Sequence, residues 1–464
     1  METYDLVIIG AGPAGYVGAI RAAQMGARVC VIEKDELGGV CLNRGCIPTK
    51  TLLKTAELLT QTRESEEFGI KIKGEILLDL AQAMQRKDNV VKTLVKGIES
   101  LFKSWKITLK KGEARFINKE TLAVKSSSGE ETIPASSVLI ATGSSPAQIP
   151  IFPIDGDKIL GSDHLLAIKQ LPKSVLIIGA GAIGCEWAFM LKAFGAEVII
   201  IEMLAQVAPT EDEMIGTLLG REMKKRKIKA LVSEKIAKVE TSAEGVIAHT
   251  ESGEELRAEK ILVSIGRAPN SKGLGLEQIG VETDPAGFIK VNSRMETSVP
   301  KIYSAGDVTG GMLLAHKASA QAKVAIANAL GKKEQMDYNI VPAVIFTSPQ
   351  AASVGLKERD AKAKGINYST ASFPFRALGK AQAIGEIAGE VKLVFEKESL
   401  GLLGCHIIGP DAGDLIHEAV IAMKMNATIK DLAHTIHAHP SLSEALMEAG
   451  EAGLGTAIHL PKPK

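Results

Sequence analysis

Two stretches of this chain repeat one another, and that repetition limits the folds open to it. Tyr4–Gly10 (YDLVIIG) is a short apolar run of β-formers, followed by a glycine loop, a helix-like stretch over Gly15–Gly26 and a strand over Arg28–Glu33. The same order returns with SVLIIG at Ser174–Gly179, a helix over Gly184–Gly195 and a strand at Glu197–Glu202. In each copy the closing glutamate stands twenty-three residues after the first glycine of the loop. A strand that feeds a glycine loop and then a helix begins a doubly wound parallel unit, so the pattern predicts two Rossmann-type units. Each copy is followed later by an apolar strand ending in glycine, VLIATG at Val138–Gly143 and ILVSIG at Ile261–Gly266. One unit is therefore expected to be split around the other.

The glycines carry the chemistry. Gly10-x-Gly12-x-x-Gly15 and Gly179-x-Gly181-x-x-Gly184 both stand after a strand and open a helix. There the first glycine permits a tight turn, the second lets backbone approach a pyrophosphate, and the third lets helix close on strand. One such fingerprint also occurs in ordinary glycine-rich turns, but here strand, helix and closing acid coincide twice, which points to two dinucleotide sites. Glu33 and Glu202 sit where a carboxylate accepts hydrogen bonds from a ribose. Glu202 would repel a 2′-phosphate, and Met203, Leu204 and Ala205 supply no arginine to hold one, so the second site favours NAD over NADP.

At 464 residues the chain has room for about three domains. The third is predicted after Ala343, where VIFTSP, ASVG, VKLVFEKESLGLLGCHIIG and the helical DAGDLIHEAVIAMKM describe antiparallel strands plus helices, an α+β unit. Boundaries are expected at 1–150, 151–272, 273–342 and 343–464, with the proline-rich Pro146–Pro153 as a crossing between the first two units and the LPKPK tail frayed. Lys+Arg 55 against Asp+Glu 54 leaves no net field for a nucleic acid. No apolar run reaches the eighteen residues of a membrane span, and the start has an acidic residue where a signal peptide is basic. A soluble, unprocessed, cytoplasmic protein is expected.

Five cysteines are odd in number and too sparse for a disulfide scaffold. Cys30, Cys185 and Cys405 sit in strand or helix patterns as plausible inert thiols, whereas Cys41 and Cys46 are close enough together to invite a redox or metal reading. A metal site would need further cysteine ligands, and no CxxC partner exists. On an undistorted helix their Cα atoms would stand ~8.6 Å apart, beyond the ~7 Å reach of a disulfide. A bridge needs a distorted turn, which Gly45 and Pro48 can accommodate.

The segment Gly39-Val40-Cys41-Leu42-Asn43-Arg44-Gly45-Cys46-Ile47-Pro48-Thr49-Lys50 resembles the redox-active segment of the pyridine nucleotide disulfide oxidoreductases, and the resemblance runs from Tyr4 to about Ala457. It includes Ala141-Thr142-Gly143, Gly266-Arg267-Ala268-Pro269-Asn270, Ser304-Ala305-Gly306-Asp307-Val308, Leu314-Ala315-His316-Lys317-Ala318 and His437-Ala438-His439-Pro440-Ser441-Leu442-Ser443-Glu444. Within the family the chain is similar to the branch that reoxidises dihydrolipoyl groups.

That resemblance implies an FAD site at Gly10, Gly12, Gly15, Glu33, Ala114, Gly143, Asp307 and Ala315, and an NAD site at Gly179, Gly181, Gly184, Glu202 and Gly266. It implies that Cys41 and Cys46 form a redox-active disulfide, with Cys41 meeting substrate and Cys46 nearest the flavin. Lys50 matches the lysine beside the flavin and Glu186 its partner; His439 matches a base and Glu444 its orienting carboxylate. A homodimer built through the C-terminal unit is implied too, with His439 serving the other subunit. The implied partners are lipoyl-bearing subunits of 2-oxo acid dehydrogenase or glycine cleavage complexes.

Three positions depart from the common pattern. Arg44 stands between the cysteines where a small apolar residue is frequent, Phe346 replaces a frequent tyrosine, and Gln350 a frequent glutamate. His434, His437 and His439 could form a metal cluster, but no carboxylate or cysteine stands at a familiar ligand offset. Ser441-x-x-Glu444 fits a capping box opening the helix SEALMEA, a role compatible with orienting a histidine just upstream. A glutathione-type reductase would carry arginines near Glu202, a mercuric reductase or large thioredoxin reductase would carry cysteines or a selenocysteine near its C-terminus, and this chain has neither. A redox-inert scaffold would have no use for the set Cys41, Cys46, Lys50 and His439.

Overall fold

Runs such as Leu6-Val7-Ile8-Ile9, apolar at every position, are stable only where a sheet is covered on both faces. The computed structural model of the protein, which describes residues 3–462, meets that demand; the last two residues of the LPKPK tail lie outside the described residues. The strand Tyr4–Ile9 is central in a parallel array between Val29–Glu33 and the end of the long strand Gly129–Ile140, with Thr108–Lys111 and Ile302–Ser304 outermost. Leu6 and Ile8 face the helices Pro13–Gln24 and Ala315–Ala329. Val7 and Ile9 face Phe116, Leu122 and Val124, which belong to an antiparallel hairpin running into Gly129–Ile140. The first helix starts at Pro13, two residues earlier than its glycine pattern suggests, because proline at the first helical position gives up an N–H that has no partner there.

The second copy repeats the arrangement. Its parallel sheet runs Lys229–Val232, Glu197–Glu202, Ser174–Ile178, Lys260–Val263 and Ile159–Leu160. Its outermost strand comes from upstream of the glycine loop, whereas Ile302–Ser304 reaches the first sheet from far downstream. Between the two sheets, Ser144–Pro146 pairs antiparallel with Arg267–Pro269 and binds the outgoing chain to the returning one.

The C-terminal unit is a five-stranded antiparallel sheet in the order Ala343–Ile345, Gln350–Gly355, Leu402–Gly409, Glu390–Glu396, Tyr368–Pro374. The helices Ala412–Lys424 and Glu444–Leu454 bury Ile416, Ala419, Leu446 and Ala449 against it. One apolar cluster joins all three units: Leu52, Ala56 and Leu59 of the helix Cys46–Arg63 meet Trp187 and Phe189 of the helix Ala182–Phe194 and Ile345, Ala351 and Ile408 of the C-terminal sheet. No helix among the described residues is long and apolar enough to cross a membrane.

Candidate active site

The two glycine loops differ little in geometry, and each glycine has a separable reason to be there. Gly10 and Gly179 have φ of +98° and +96°, and a Cβ on either would sit 2.4 Å from the Ala141 carbonyl oxygen or 2.6 Å from that of Ser264. A Cβ on Gly15 or Gly184 would lie 1.8 or 2.0 Å from the carbonyl oxygen of the first glycine, so the helix could not close on its strand. At Gly12 a Cβ would meet nothing nearer than 3.9 Å, and at Gly181 nothing within 4 Å. The space over each helix N-terminus is open, and a side chain there would fill the room a pyrophosphate takes.

The closing glutamates also match. Glu33 accepts from Ala11 N–H at 2.6 Å and Asp35 N–H at 2.7 Å; Glu202 accepts from Ala180 N–H at 2.8 Å and Leu204 N–H at 2.9 Å. Both are buried, and each stays fixed at its loop with lone pairs left for a ribose. Burial pushes the Glu33 carboxyl up, with the Ala11 N–H opposing it. Past Glu202 the next three side chains, Met203, Leu204 and Ala205, are exposed, and none of them carries a positive charge.

Several positions of the expected flavin site gather around the end of the first sheet. Asp307 accepts from Ser144 Oγ at 2.6 Å, and Ser144 in turn accepts from Arg267 Nε at 2.7 Å. Ala315 opens a helix whose N-cap, Leu314, has no side-chain acceptor, leaving the first N–H groups for a ligand. Gly143, at φ +69°, accepts from Asn270 N–H at 3.0 Å, and Gly266 has φ +114°. Ala114 is buried opposite Val124 in the hairpin. Glycine fingerprints do not reveal Ser144 and Arg267; the signal available was their place in the two strands that cross between units.

The cysteine segment breaks in one place. A helix over Gly39–Arg44 ends, Gly45 turns the chain at φ −143° and ψ −108°, and a second helix starts at Cys46. A Cβ on Gly45 would lie 3.1 Å from the Val40 carbonyl oxygen and 3.4 Å from Cys41 Cα, so a side chain there would push the two turns apart by a few tenths of an ångström. Pro48 plays no part in the break: it lies inside the first turn of the second helix, where proline is tolerated. The two free thiols are thereby brought near enough for each to shift the other's ionisation. The hydrogen bond from Cys41 lowers Cys46 to about 7, burial opposes it, and Lys50 assists; the same bond and burial push Cys41 well up. Cys46 is the sulfur disposed to carry charge. Cys30 and Cys185 are buried with thiols pushed up to about 12, and burial pushes Cys405 up as well.

Lys50, one turn beyond Cys46, reaches across to the second unit. Its Nζ donates at 2.9 Å to both Glu186 Oε1 and Oε2. Of the three departures from pattern, Arg44 forms an ion pair with Asp35, Gln350 accepts from Gly413 N–H at 3.0 Å, and Phe346 donates its backbone N–H to Glu186 Oε1 at 3.0 Å.

His439 stands apart from this group. Its Nδ1 is 2.9 Å from Glu444 Oε1, and its ring is 77% exposed. None of the hydrogen bonds or ion pairs among the described residues joins it to Cys41 or Cys46. Glu444 Oε2 accepts from Ser441 N–H at 2.8 Å, which is half of the expected capping box; the other half is missing, since Ser441 Oγ is buried without a partner and the helix begins only at Glu444. Burial would raise Glu444, but Ser441 N–H and His439 hold it below the usual carboxylate range. His437 is engaged elsewhere, with Nε2 2.7 Å from Glu418 and Nδ1 2.8 Å from the Thr435 carbonyl, and no metal-binding cluster is found among the described residues.

Two nucleotide cradles, a paired thiol and a lysine clamped by the second unit define a flavin- and nicotinamide-linked disulfide oxidoreductase. The chain belongs to the pyridine nucleotide-disulphide oxidoreductase family: that family's model matches residues 4–322, and its dimerisation domain matches residues 341–450. It is 44% identical to a dihydrolipoyl dehydrogenase of Thermus scotoductus over 99% of both chains, and 42% identical to that of Bacillus subtilis over 98% of this chain and 99% of the other. In structure it is similar to LpdA of Mycobacterium tuberculosis, with TM-score 0.90 and 28% identity over 96% of this chain and 98% of the other.

Proposed function

We propose that this chain is a dihydrolipoyl dehydrogenase, a homodimer that reoxidises protein-bound dihydrolipoyl groups of 2-oxo acid dehydrogenase or glycine cleavage complexes and passes the electrons to NAD+. The observation that carries the reading is the Gly45 break, which brings Cys41 and Cys46 close enough to shift each other's ionisation directly ahead of the Lys50–Glu186 pair. In the oxidised enzyme these two cysteines are joined. His439 of the opposite subunit takes the proton of one dihydrolipoyl thiol through its free Nε2, while Glu444 holds Nδ1 and fixes the ring. The substrate thiolate attacks Cys41 Sγ, a mixed disulfide forms, and Cys46 leaves as a thiolate. The second substrate thiol attacks the substrate sulfur of the mixed disulfide, closing the lipoyl ring and freeing Cys41, whose departing sulfur takes up that thiol's proton. The substrate has then lost two electrons and the cysteine pair has gained them. Bound FAD supplies the two-electron carrier between this dithiol and NAD+. Lys50 provides positive charge beside Cys46, and Glu186 keeps that charge in place.

The exposed His439 and the exposed apolar side chains Ile421, Met425 and Ile436 of the same unit support a dimer with a shared site. The domain limits drawn from the sequence and a cytoplasmic location belong to the same proposal. The test is turnover of dihydrolipoamide with NAD+ by the purified holoenzyme, beside Cys41→Ser and Cys46→Ser. Wild-type activity that disappears in both variants supports the reading. A native enzyme inert toward dihydrolipoamide, but active on another disulfide or dithiol, overturns the substrate assignment.

A further inference from the structure

We propose that Phe346 is a positioning residue for the redox centre, fixing the Lys50 ammonium through its ring face and the Glu186 carboxylate through its backbone N–H. The ring centroid of Phe346 lies 4.6 Å from Lys50 Nζ, within the range of a cation–π contact. Its N–H donates to Glu186 Oε1 at 3.0 Å, the oxygen that also accepts from Lys50 at 2.9 Å. One residue of the C-terminal unit thus holds both members of an ion pair contributed by the other two units.

The surroundings keep the ring in register. Phe346 directly follows the strand Ala343–Ile345, whose last residue is buried in the apolar cluster common to the three units. A Cβ added at Gly413 would stand 3.5 Å from Phe346 Cε1, and the Gly413 N–H is itself held by Gln350 at 3.0 Å. The two C-terminal departures from the family pattern therefore meet at one glycine. A phenyl ring attracts the ammonium with its quadrupole yet offers no hydrogen-bond acceptor. Glu186 takes two of the three ammonium N–H directions, and among the described residues no other protein acceptor is bonded to Lys50. The third remains for a charged group on the Cys46 side, and with the ring covering one flank, less water competes for it. This inference rests on the reading of Cys46 as the flavin-side thiol.

A Cys46 thiolate against oxidised FAD would absorb at longer wavelength than the flavin alone. The experiment titrates that absorbance of the two-electron-reduced holoenzyme against pH in wild type, Phe346→Tyr, Phe346→Met and a variant with trifluorinated phenylalanine at this position. Fluorination keeps the ring's shape and removes much of its quadrupole, so it stays informative even if Phe346→Met does not fold. FAD content per chain is read from the oxidised spectrum. Phe346→Tyr is expected to titrate as wild type, whereas the methionine and fluorinated variants require higher pH, by about three- to ten-fold in the protonation equilibrium, at unchanged FAD content. A fluorinated variant that titrates as wild type overturns the positioning role. If wild type shows no such band, or Cys46→Ser keeps it, the Cys46 assignment itself fails and this inference with it.

Discussion

Lys392 Nζ lies 3.0 Å from Asp212 Oδ1 in an ion pair almost withdrawn from water, and it fastens the C-terminal sheet to the second nucleotide unit. Glu358 joins the pair at 2.5 Å, and beside it Ser353 Oγ donates to Glu211 Oε2 at 2.5 Å. Removing the lysine would strand a carboxylate that is 2% exposed. Lys392→Met is therefore expected to destabilise the fold by about 3–5 kcal/mol, read from urea unfolding. Burial would raise Asp212, but His406 and Lys392 hold it below the usual range. Its contribution is present above the ordinary carboxylate pKa and is lost as pH falls through the depressed value, so wild type should lose more stability than the variant on acidification.

Cys41 should govern how readily Cys46 ionises. With Cys46 at about 7 chiefly through the hydrogen bond from Cys41, Cys41→Ala takes that donor away. The thiolate then forms only as pH rises toward the ordinary thiol range of ~8.5. Absorbance titration of the Cys41→Ala holoenzyme, in which Cys46 is a free thiol, checks this; a midpoint still near that of the native reduced pair would refute it.

Glu202, placed by the proposal in the NAD site, braces its own loop through Ala180 and Leu204. Losing a charge-assisted contact costs roughly 1.5–3 kcal/mol, so Glu202→Ala should lower kcat/KM for NAD+ by about 10- to 100-fold. NADP+ should gain without overtaking, since no cation arrives with the substitution. Equal efficiency of the two nucleotides in the native enzyme would count against the assignment.

His439→Gln is expected to slow the dithiol half-reaction by about 10²–10⁴-fold. Electron transfer from NADH to an artificial acceptor, which bypasses the dithiol, should change far less. Mixing inactive Cys41→Ser chains with inactive His439→Gln chains should restore one working site per mixed dimer. Mixed dimers without activity would rule out a site shared between subunits.

Much of this was legible in the sequence because glycine and periodicity report directly on backbone. Gly10 and Gly179, with their strands and closing glutamates, announced two nucleotide folds, since no other residue tolerates those turns. The break at Gly45 was half legible: spacing demanded a distortion, but only packing against Val40 and Cys41 singled out the glycine over Pro48. Ser144 escaped notice, and Arg267 and Phe346 stood out only as a motif member and a departure from pattern, because their contacts are with partners more than a hundred positions away, brought close by crossings that carry no local pattern.

The strand Ile302–Ser304 completes the first sheet only after the entire second unit has been made, and Ser304 Oγ then reaches Ile140 across a sequence separation of 164 residues. During synthesis the first unit must wait with the 138–140 edge unpaired, while the second, whose strands all lie between Ile159 and Val263, can close by itself. A nascent chain halted before Ile302 should thus be cut by protease in its first unit and spared in its second. The order in which the two nucleotide sites become competent is then the reverse of the order in which their glycines leave the ribosome.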